Sequence, residues 1–390
     1  MWNSNSDILY GLALTFVHGV GSAKIKELSQ KYESLGDVFA LSEKVLVEQC
    51  RLNESAAKAI SGNSATLLRL AEREIESAGK EGVKILSIYD ADYPSSLLKR
   101  RSDTPFFIYY KGSASLNDRR IISIVGTRNM THYGKSFTES FVSDIAKIYP
   151  DALIVSGLAR GVDITAHCAA LKNGLDTLAV MGTSFPTIYP ADHRRYVGEI
   201  MEHGGLVTQF QYQSSTDNKN FVERNRIIAA IADVVVVVES KGNGGSMYTA
   251  EWSHRLGVPL CALPGDYTRE QSEGCNNLIR NGKAHLVTSA ADVDDILSGN
   301  RDDSFLRRVS AIQSHPSSEK NSPQKPDLSA LDLDEDKSRI VEILASTGPS
   351  HKDIIARESG KTISEISDIL FDLEMDGIVR ETMGGGYEVV

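Results

Sequence analysis

The sequence lacks the features that send a chain into a membrane or out of the cell. No stretch of its 390 residues approaches the roughly 20 consecutive apolar residues that span a bilayer. The opening MWNSNSDILYGLALTF has no basic segment and no clean apolar core before a small-residue cleavage site, so no signal peptide is expected. Cysteine is scarce. The four, Cys50, Cys168, Cys261 and Cys275, are far apart and without metal-ligand spacing, which argues against a disulfide framework or a cysteine metal site. The expected compartment is the cytoplasm. Positive charge is also in deficit, with 42 Lys and Arg against 52 Asp and Glu, a net charge of −10. That excludes a protein basic over its whole surface, but not a local phosphate site built from clustered cations and oriented N–H groups. Neither the GxGxxG nor the GxxxxGK[ST] nucleotide fingerprint occurs. No nucleophile–base–orienter set, metal cluster or convincing carboxylate pair stands out, so no catalytic residue, metal or cofactor is expected. Asp163 and His167 share a helix face at i, i+4, but an acid at a helix start and a structural histidine account for them.

What is present divides the chain into four parts. Residues 1–82 read as short helices joined by glycine turns. Val17-His18-Gly19-Val20-Gly21 is a Gly–apolar–Gly hairpin of the helix-hairpin-helix kind, where backbone amides can meet a phosphate or simply pack a turn. Residues 83–297 alternate apolar strands, at 121–125, 152–155, 176–181, 205–208, 234–239 and 259–263, with helical runs at 136–148, 163–173, 224–232 and 247–256. That alternation implies an α/β fold, a mostly parallel sheet covered on both faces, with ligands beyond the carboxyl ends of its strands. Residues 298–336 contain HPSSEKNSPQKPD, without periodicity, and read as a flexible linker. Residues 337–390 give three helices, at 337–346, 351–359 and 362–376, then strands at 378–381 and 387–390 around Met383-Gly384-Gly385-Gly386, the pattern of a winged helix.

The chemistry concentrates in four glycine turns after strands: Gly126-Thr127-Arg128, Ser156-Gly157-Leu158-Ala159-Arg160-Gly161, Met181-Gly182-Thr183 and Gly242-Asn243-Gly244-Gly245-Ser246. Each precedes a helix, so its amides can approach an anion. Arg128, Arg160 and Lys241 add charge, and Lys219, Phe221, Arg224, Asn225 and Arg226 follow one another on a helix start. Arg clamps phosphate and Phe offers a face to a base. A cation at a helix start is disfavoured by the dipole unless an anion is near, so at least one of Arg224 and Arg226 is expected to face a ligand.

Six segments, in order, carry a resemblance: IVGTRNMTHYG (124–134), SGLARGVDITAH (156–167), AVMGTSFPTIYP (179–190), FVERNRIIAAIAD (221–233), GGSMYTAEW (244–252) and LPGD with GCNNLIRNG (263–266, 274–282). They resemble the signatures of the DNA-processing protein A (DprA/Smf) family over about half the chain. The resemblance implies a Rossmann-like domain flanked by an N-terminal SAM-like or helix-hairpin-helix domain and a C-terminal winged helix. It further implies a homodimer, paired through the Rossmann-like domain, that protects single-stranded DNA in natural transformation and recombination and loads the RecA recombinase. Carried over by motif, the DNA site is Gly126, Thr127, Arg128, Ser156, Gly157, Arg160, Lys219, Phe221, Arg224, Asn225, Arg226, Lys241, Gly244, Gly245 and Ser246. Thr208-Gln209 departs from a common Ser-Glu, and Gly244 from a common Ser. Acidic Glu365, Asp368, Asp372, Glu374 and Asp376 on the third winged helix would repel phosphate, so that part is expected to serve protein contacts or structure. The rival reading is a small-nucleotide sensor or a phosphoribohydrolase-like enzyme with Glu251 as its acid.

Overall fold

Val234–Val238 forms an interior strand whose five side chains are all fully buried. Alternate residues point to opposite faces of a sheet, so an unbroken valine run is stable only where both faces are covered. A computed structural model shows this arrangement for residues 4–99, 104–214, 216–299, 335–348, 350–375, 378–381 and 386–389, the residues described below. They fall into two compact units, within 1–315 and 316–390.

The first unit contains, in chain order, α1 (Ser4–Thr15), α2 (Ser22–Lys31), α3 (Leu35–Phe39), α4 (Glu43–Glu48), α5 (Glu54–Lys80), β1 (Lys84–Ser87), α6 (Ser95–Lys99), β2 (Phe107–Gly112), β3 (Ile121–Gly126), α7 (His132–Ile148), β4 (Leu153–Ser156), α8 (Val162–Lys172), β5 (Asp176–Val180), α9 (Arg194–Glu202), β6 (Gly204–Thr208), α10 (Asn218–Ile231), β7 (Val234–Val238), α11 (Gly245–Arg255), β8 (Leu260–Ala262), α12 (Glu270–Arg280), β9 (His285–Leu286) and α13 (Ala290–Leu297). The sheet runs β1-β2-β6-β5-β4-β3-β7-β8-β9. From β6 to β9 neighbouring strands are parallel, whereas β2 is antiparallel to both β1 and β6. The α/β reading holds, and its six strands are joined by three more.

The two faces carry separate cores. Ile122, Ile124, Ile154, Val234 and Val236 pack with Phe141, Val142 and Ile145 of α7 and Val162 and Ala166 of α8. On the other face Leu153, Val155, Val235 and Val237 meet Ile227, Ile228 and Ile231 of α10. This second core runs on without a break into Leu12, Leu28, Val38 and Ile60 of the helical N-terminal segment. The expected Gly19–Gly21 hairpin joins α1 to α2, with Gly19 at φ +86°. It rests on the sheet, because the Phe106 amide donates to Ser22 Oγ at 3.1 Å. Burial on α5 includes Glu74, which accepts from the Tyr212 amide at 2.7 Å and ties this helix to the loop after β6.

The second unit contains α14 (Glu335–Thr347), α15 (Lys352–Ser359), α16 (Ile363–Met375), β10 (Val379–Glu381) and β11 (Tyr387–Val389). Its core is Ile340, Leu344, Ile355, Ile366, Leu370 and Leu373, and β10 pairs antiparallel with β11. Three helices followed by a hairpin is the winged-helix order. Of the expected linker, residues 300–334 lie outside the described residues, as do Met383, Gly384, Gly385 and Asp376. No helix among the described residues is long and apolar enough to cross a membrane.

Candidate nucleic-acid interface

The chain leaves β3 in one direction to build β4, β5 and β6, then returns beside β3 as β7 and continues to β8 and β9. The loops after β3 and β7 therefore diverge at the carboxyl edge, the place where open parallel sheets form a crevice. A cleft of about 460 Å³ opens there. Gly126, Thr127 and Arg128 line it from the β3 loop, and Lys241, Gly244, Gly245 and Ser246 from the β7 loop. Phe221, Arg224 and Asn225 of α10 close its third side.

Glycine is required at several of these contacts. A Cβ on Gly126 would stand 2.3 Å from the Val238 carbonyl oxygen. Gly161, at φ +74°, lets the β4 loop approach the Thr127 carbonyl, which a Cβ would meet at 2.3 Å. A Cβ on Gly182 would stand 2.5 Å from the Phe221 ring, so the third turn is cut back to seat that ring. Asn225 Nδ2 donates to the Gly245 carbonyl at 3.2 Å and fixes α10 against the start of α11. The Gly245 and Ser246 amides, in the first turn of α11, have no acceptor among the described residues, as expected of a helix N-terminus. They give the cleft two donors at the positive end of a helix dipole.

Arg128 is exposed and pairs with no carboxylate among the described residues. Arg224 is its opposite. The helix that bears it begins at Asn218, six residues earlier than the expected start, so Arg224 lies mid-helix and the dipole argument does not apply to it. Its side chain is buried, with Nη1 donating to the Gly157 carbonyl at 2.7 Å and to the Val180 carbonyl. Asp163 Oδ2 accepts from the Gly157 and Ala159 amides at 3.1 and 3.4 Å. A Cβ on Gly157 would lie 2.6 Å from both Arg224 and Asp163, so this glycine is squeezed between cation and carboxylate. Burial lowers the Arg224 pKa to about 10, opposed by Asp163 and reinforced by Arg128, and the side chain stays charged at neutral pH. Burial raises that of Asp163, with Arg224 pulling it back. Arg224 thus forms a charged floor to the cleft while pinning β4 and β5 to α10.

The other expected site residues are spread more widely. Ser156 is buried and donates to the Ile124 carbonyl at 2.6 Å, within the sheet. Arg160 is exposed and pairs with Asp192 at 3.2 Å, outside the cleft lining. Lys219 is exposed in the first turn of α10, next to the cleft but not lining it. Arg226 Nη2 donates to Gln209 Oε1 at 2.9 Å and faces a different cleft, between α1, α2 and the loop after β6. Lys241 pairs with Glu270 at 2.7 Å, and the buried Ser246 hydroxyl donates to Ser240 Oγ at 2.8 Å, so Ser246 offers its amide and not its hydroxyl. Asp163 and His167 do not act together: His167 Nδ1 is 2.6 Å from Thr177 Oγ1, which itself donates to the Ile154 carbonyl. Glu251 lies off the cleft, bonded to Arg255 at 2.9 Å, so the cleaving reading loses its acid. Sequence reasoning missed Asn218, Val222, Tyr248 and Thr249 in the lining. Tyr248 carried a usable signal, an aromatic three residues into a helix that starts at a glycine loop.

Comparison with known proteins finds relatives of this chain. Protein Smf of Synechocystis sp. is 27% identical over 405 aligned positions, covering 99% of each chain. The structure of DNA processing protein A from Streptococcus pneumoniae superposes with a TM-score of 0.62 at 29% identity, covering 75% of this chain and 98% of that one. That of DNA processing protein A from Helicobacter pylori, described with a single-stranded DNA binding mode, superposes at 0.50 and 28% identity, covering 56% and 96%. Residues 324–385 match the DprA winged helix domain. Residues 84–298, with the switch-point cleft at their centre, match the DNA recombination-mediator protein A family, and the chain belongs to that family.

Proposed function

We propose that the chain binds and protects single-stranded DNA in the switch-point cleft and promotes loading of the RecA recombinase, as in natural transformation and DNA recombination. The observation that carries this reading is the composition of the cleft. Arg128, which is exposed and pairs with no carboxylate among the described residues, lines one cleft with Phe221 and with the Gly245 and Ser246 amides, which have no acceptor among those residues. Arginine and helix-start amides hold phosphates and an aromatic ring stacks a base, which together suit an unpaired strand read without sequence preference. The relative from Helicobacter pylori, with its single-stranded DNA binding mode, supports the same ligand.

The cleft is open, and the one carboxylate lining it, Asp163, is spent on the Gly157 and Ala159 amides. Both features favour holding a strand over cleaving a nucleotide. In this reading the DNA site is built around Arg128, Gly245, Ser246 and Phe221. Lys219 extends its positive field, Lys241 and Arg160 do so on exchanging Glu270 and Asp192 for phosphate, and Arg224 and Gly157 shape its floor. The partners are RecA and a second copy of the chain, paired through the sheet-containing part. The experiment is a competition: a labelled oligothymidine bound to the protein is challenged with unlabelled single strand, duplex and mononucleotide. Displacement by the single strand alone supports the reading; displacement by the mononucleotide at similar concentration overturns it in favour of a nucleotide sensor. RecA ATP hydrolysis on single-stranded DNA, with and without the protein, tests the loading step separately.

A further inference from the structure

Tyr248 is 51% exposed in the first turn of α11, lines the cleft, and has neither a hydrogen bond nor a ring partner among the described residues. Among the described residues no hydrogen bond or ring contact uses it. On the neighbouring helix start, Phe221 lines the same cleft, and the Tyr189 ring, itself 50% exposed, lies 5.3 Å from that of Phe221 at a tilt of 56°. The Asn225–Gly245 hydrogen bond fixes α10 against the start of α11, and with them the two aromatic surfaces. Arg128 and the free amides of Gly245 and Ser246 belong to the same cleft. Leaving the Tyr248 and Tyr189 rings about half in water, with Phe221 only partly buried, has a hydrophobic cost, and a cleft that only gripped phosphate would have no use for them.

We propose that Tyr248 is a second base-stacking platform, so that the cleft clamps two nucleobases, one on Tyr248 and one on the Phe221–Tyr189 pair, around a phosphate held at Arg128. This rests on the single-stranded DNA reading and narrows it: the ligand is a base-bearing unpaired strand, not a polyanion of matching charge. Duplex DNA, whose bases already stack on one another, has no free faces to offer the rings.

The test compares an oligothymidine with an abasic phosphodiester of equal length, by anisotropy, on the full chain. Wild type binds the oligothymidine more tightly than the abasic chain. Tyr248→Leu keeps an apolar side chain but removes the ring; it weakens oligothymidine binding about tenfold and leaves abasic binding unchanged. Tyr248→Phe restores the lost affinity, and an unchanged thermal midpoint shows that each variant folds. Arg128→Ala weakens both ligands. If Tyr248→Leu binds oligothymidine like wild type, or loses both ligands equally, the stacking role is wrong. Wild type binding the two polymers equally overturns the clamp while sparing the cleft as a phosphate site. Wild type binding neither overturns the single-stranded DNA reading as well.

Discussion

Arg224 and Arg128 stand within one cleft and do different work. Arg224 holds the Gly157 and Val180 carbonyls and neutralises buried Asp163, so removing it strips a counter-charge from the interior. Arg224→Ala is expected to cost about 3 kcal/mol of stability in chemical denaturation. Arg224→Lys should not recover it, because a single ammonium cannot serve the Gly157 and Val180 carbonyls at one nitrogen and Asn225 Oδ1 at another, as Nη1 and Nε do. A variant as stable as wild type would show that the floor of the cleft is not built this way. His167 gives a pH prediction. Burial first, then the charges of Arg224 and His193, lower its pKa to about 3 from the ordinary 6.5. The unfolded chain takes up a proton near pH 6.5 that the folded chain refuses until about pH 3. The contribution is therefore intact above pH 6.5 and is lost on acidification through that window, by up to about 1.4 kcal/mol per pH unit. Denaturation at a series of pH values between 6.5 and 4.5 should show a shallower acid slope for His167→Gln; an identical slope would refute the assignment. Which arginine is buried was not legible in FVERNRIIAAIAD, since that depends on where the helix starts. The start at Asn218 is set by the Asp217 side chain, which caps the Lys219 amide at 3.0 Å.

At the scale of elements, the long apolar runs were readable and the edges were not. Residues 234–238 announce a doubly covered strand, and the helices after each strand follow from their periodicity. β1 and β9, four and two residues long, give no periodic signal. β2 has a strand-forming sequence, FIYYKG, but runs antiparallel to its neighbours, so the strand–helix alternation does not call for it. Glycine turns were legible as loops, yet the contacts that make them glycine, such as the Phe221 ring against Gly182, are tertiary. The third helix of the winged unit bears acids that are partly engaged: Glu365 accepts from the Thr362 amide at 2.9 Å, and Asp372 pairs with Lys337 at 3.2 Å. Neither bond provides the basic surface a groove-reading helix needs. A chain ending after residue 315 is accordingly expected to bind duplex DNA no more weakly than the full chain in a mobility-shift titration. A clear loss of duplex affinity on truncation would make the winged helix a DNA reader after all.

For the molecule as a whole, a net charge of −10 makes the location of positive charge decisive. Among the described residues the lining of the switch-point cleft holds three cations, Arg128, the buried Arg224 and Lys241, against one carboxylate, Asp163, although Lys241 is also paired with Glu270. Topology places that cluster: the reversal of strand order beside β3 opens the cleft, and the loop sequences furnish it. The central claim, that this cleft holds single-stranded DNA by its phosphates, is tested most directly by the salt dependence of oligothymidine affinity in wild type and Arg128→Ala. Each phosphate contact contributes about −0.7 to the slope of log affinity against log salt for a single strand. The account predicts a steep slope for wild type, affinity lower by tenfold or more in Arg128→Ala, and a slope shallower by about 0.7 in that variant. Equal affinities and equal slopes would place the strand, if it binds, somewhere other than the switch-point cleft.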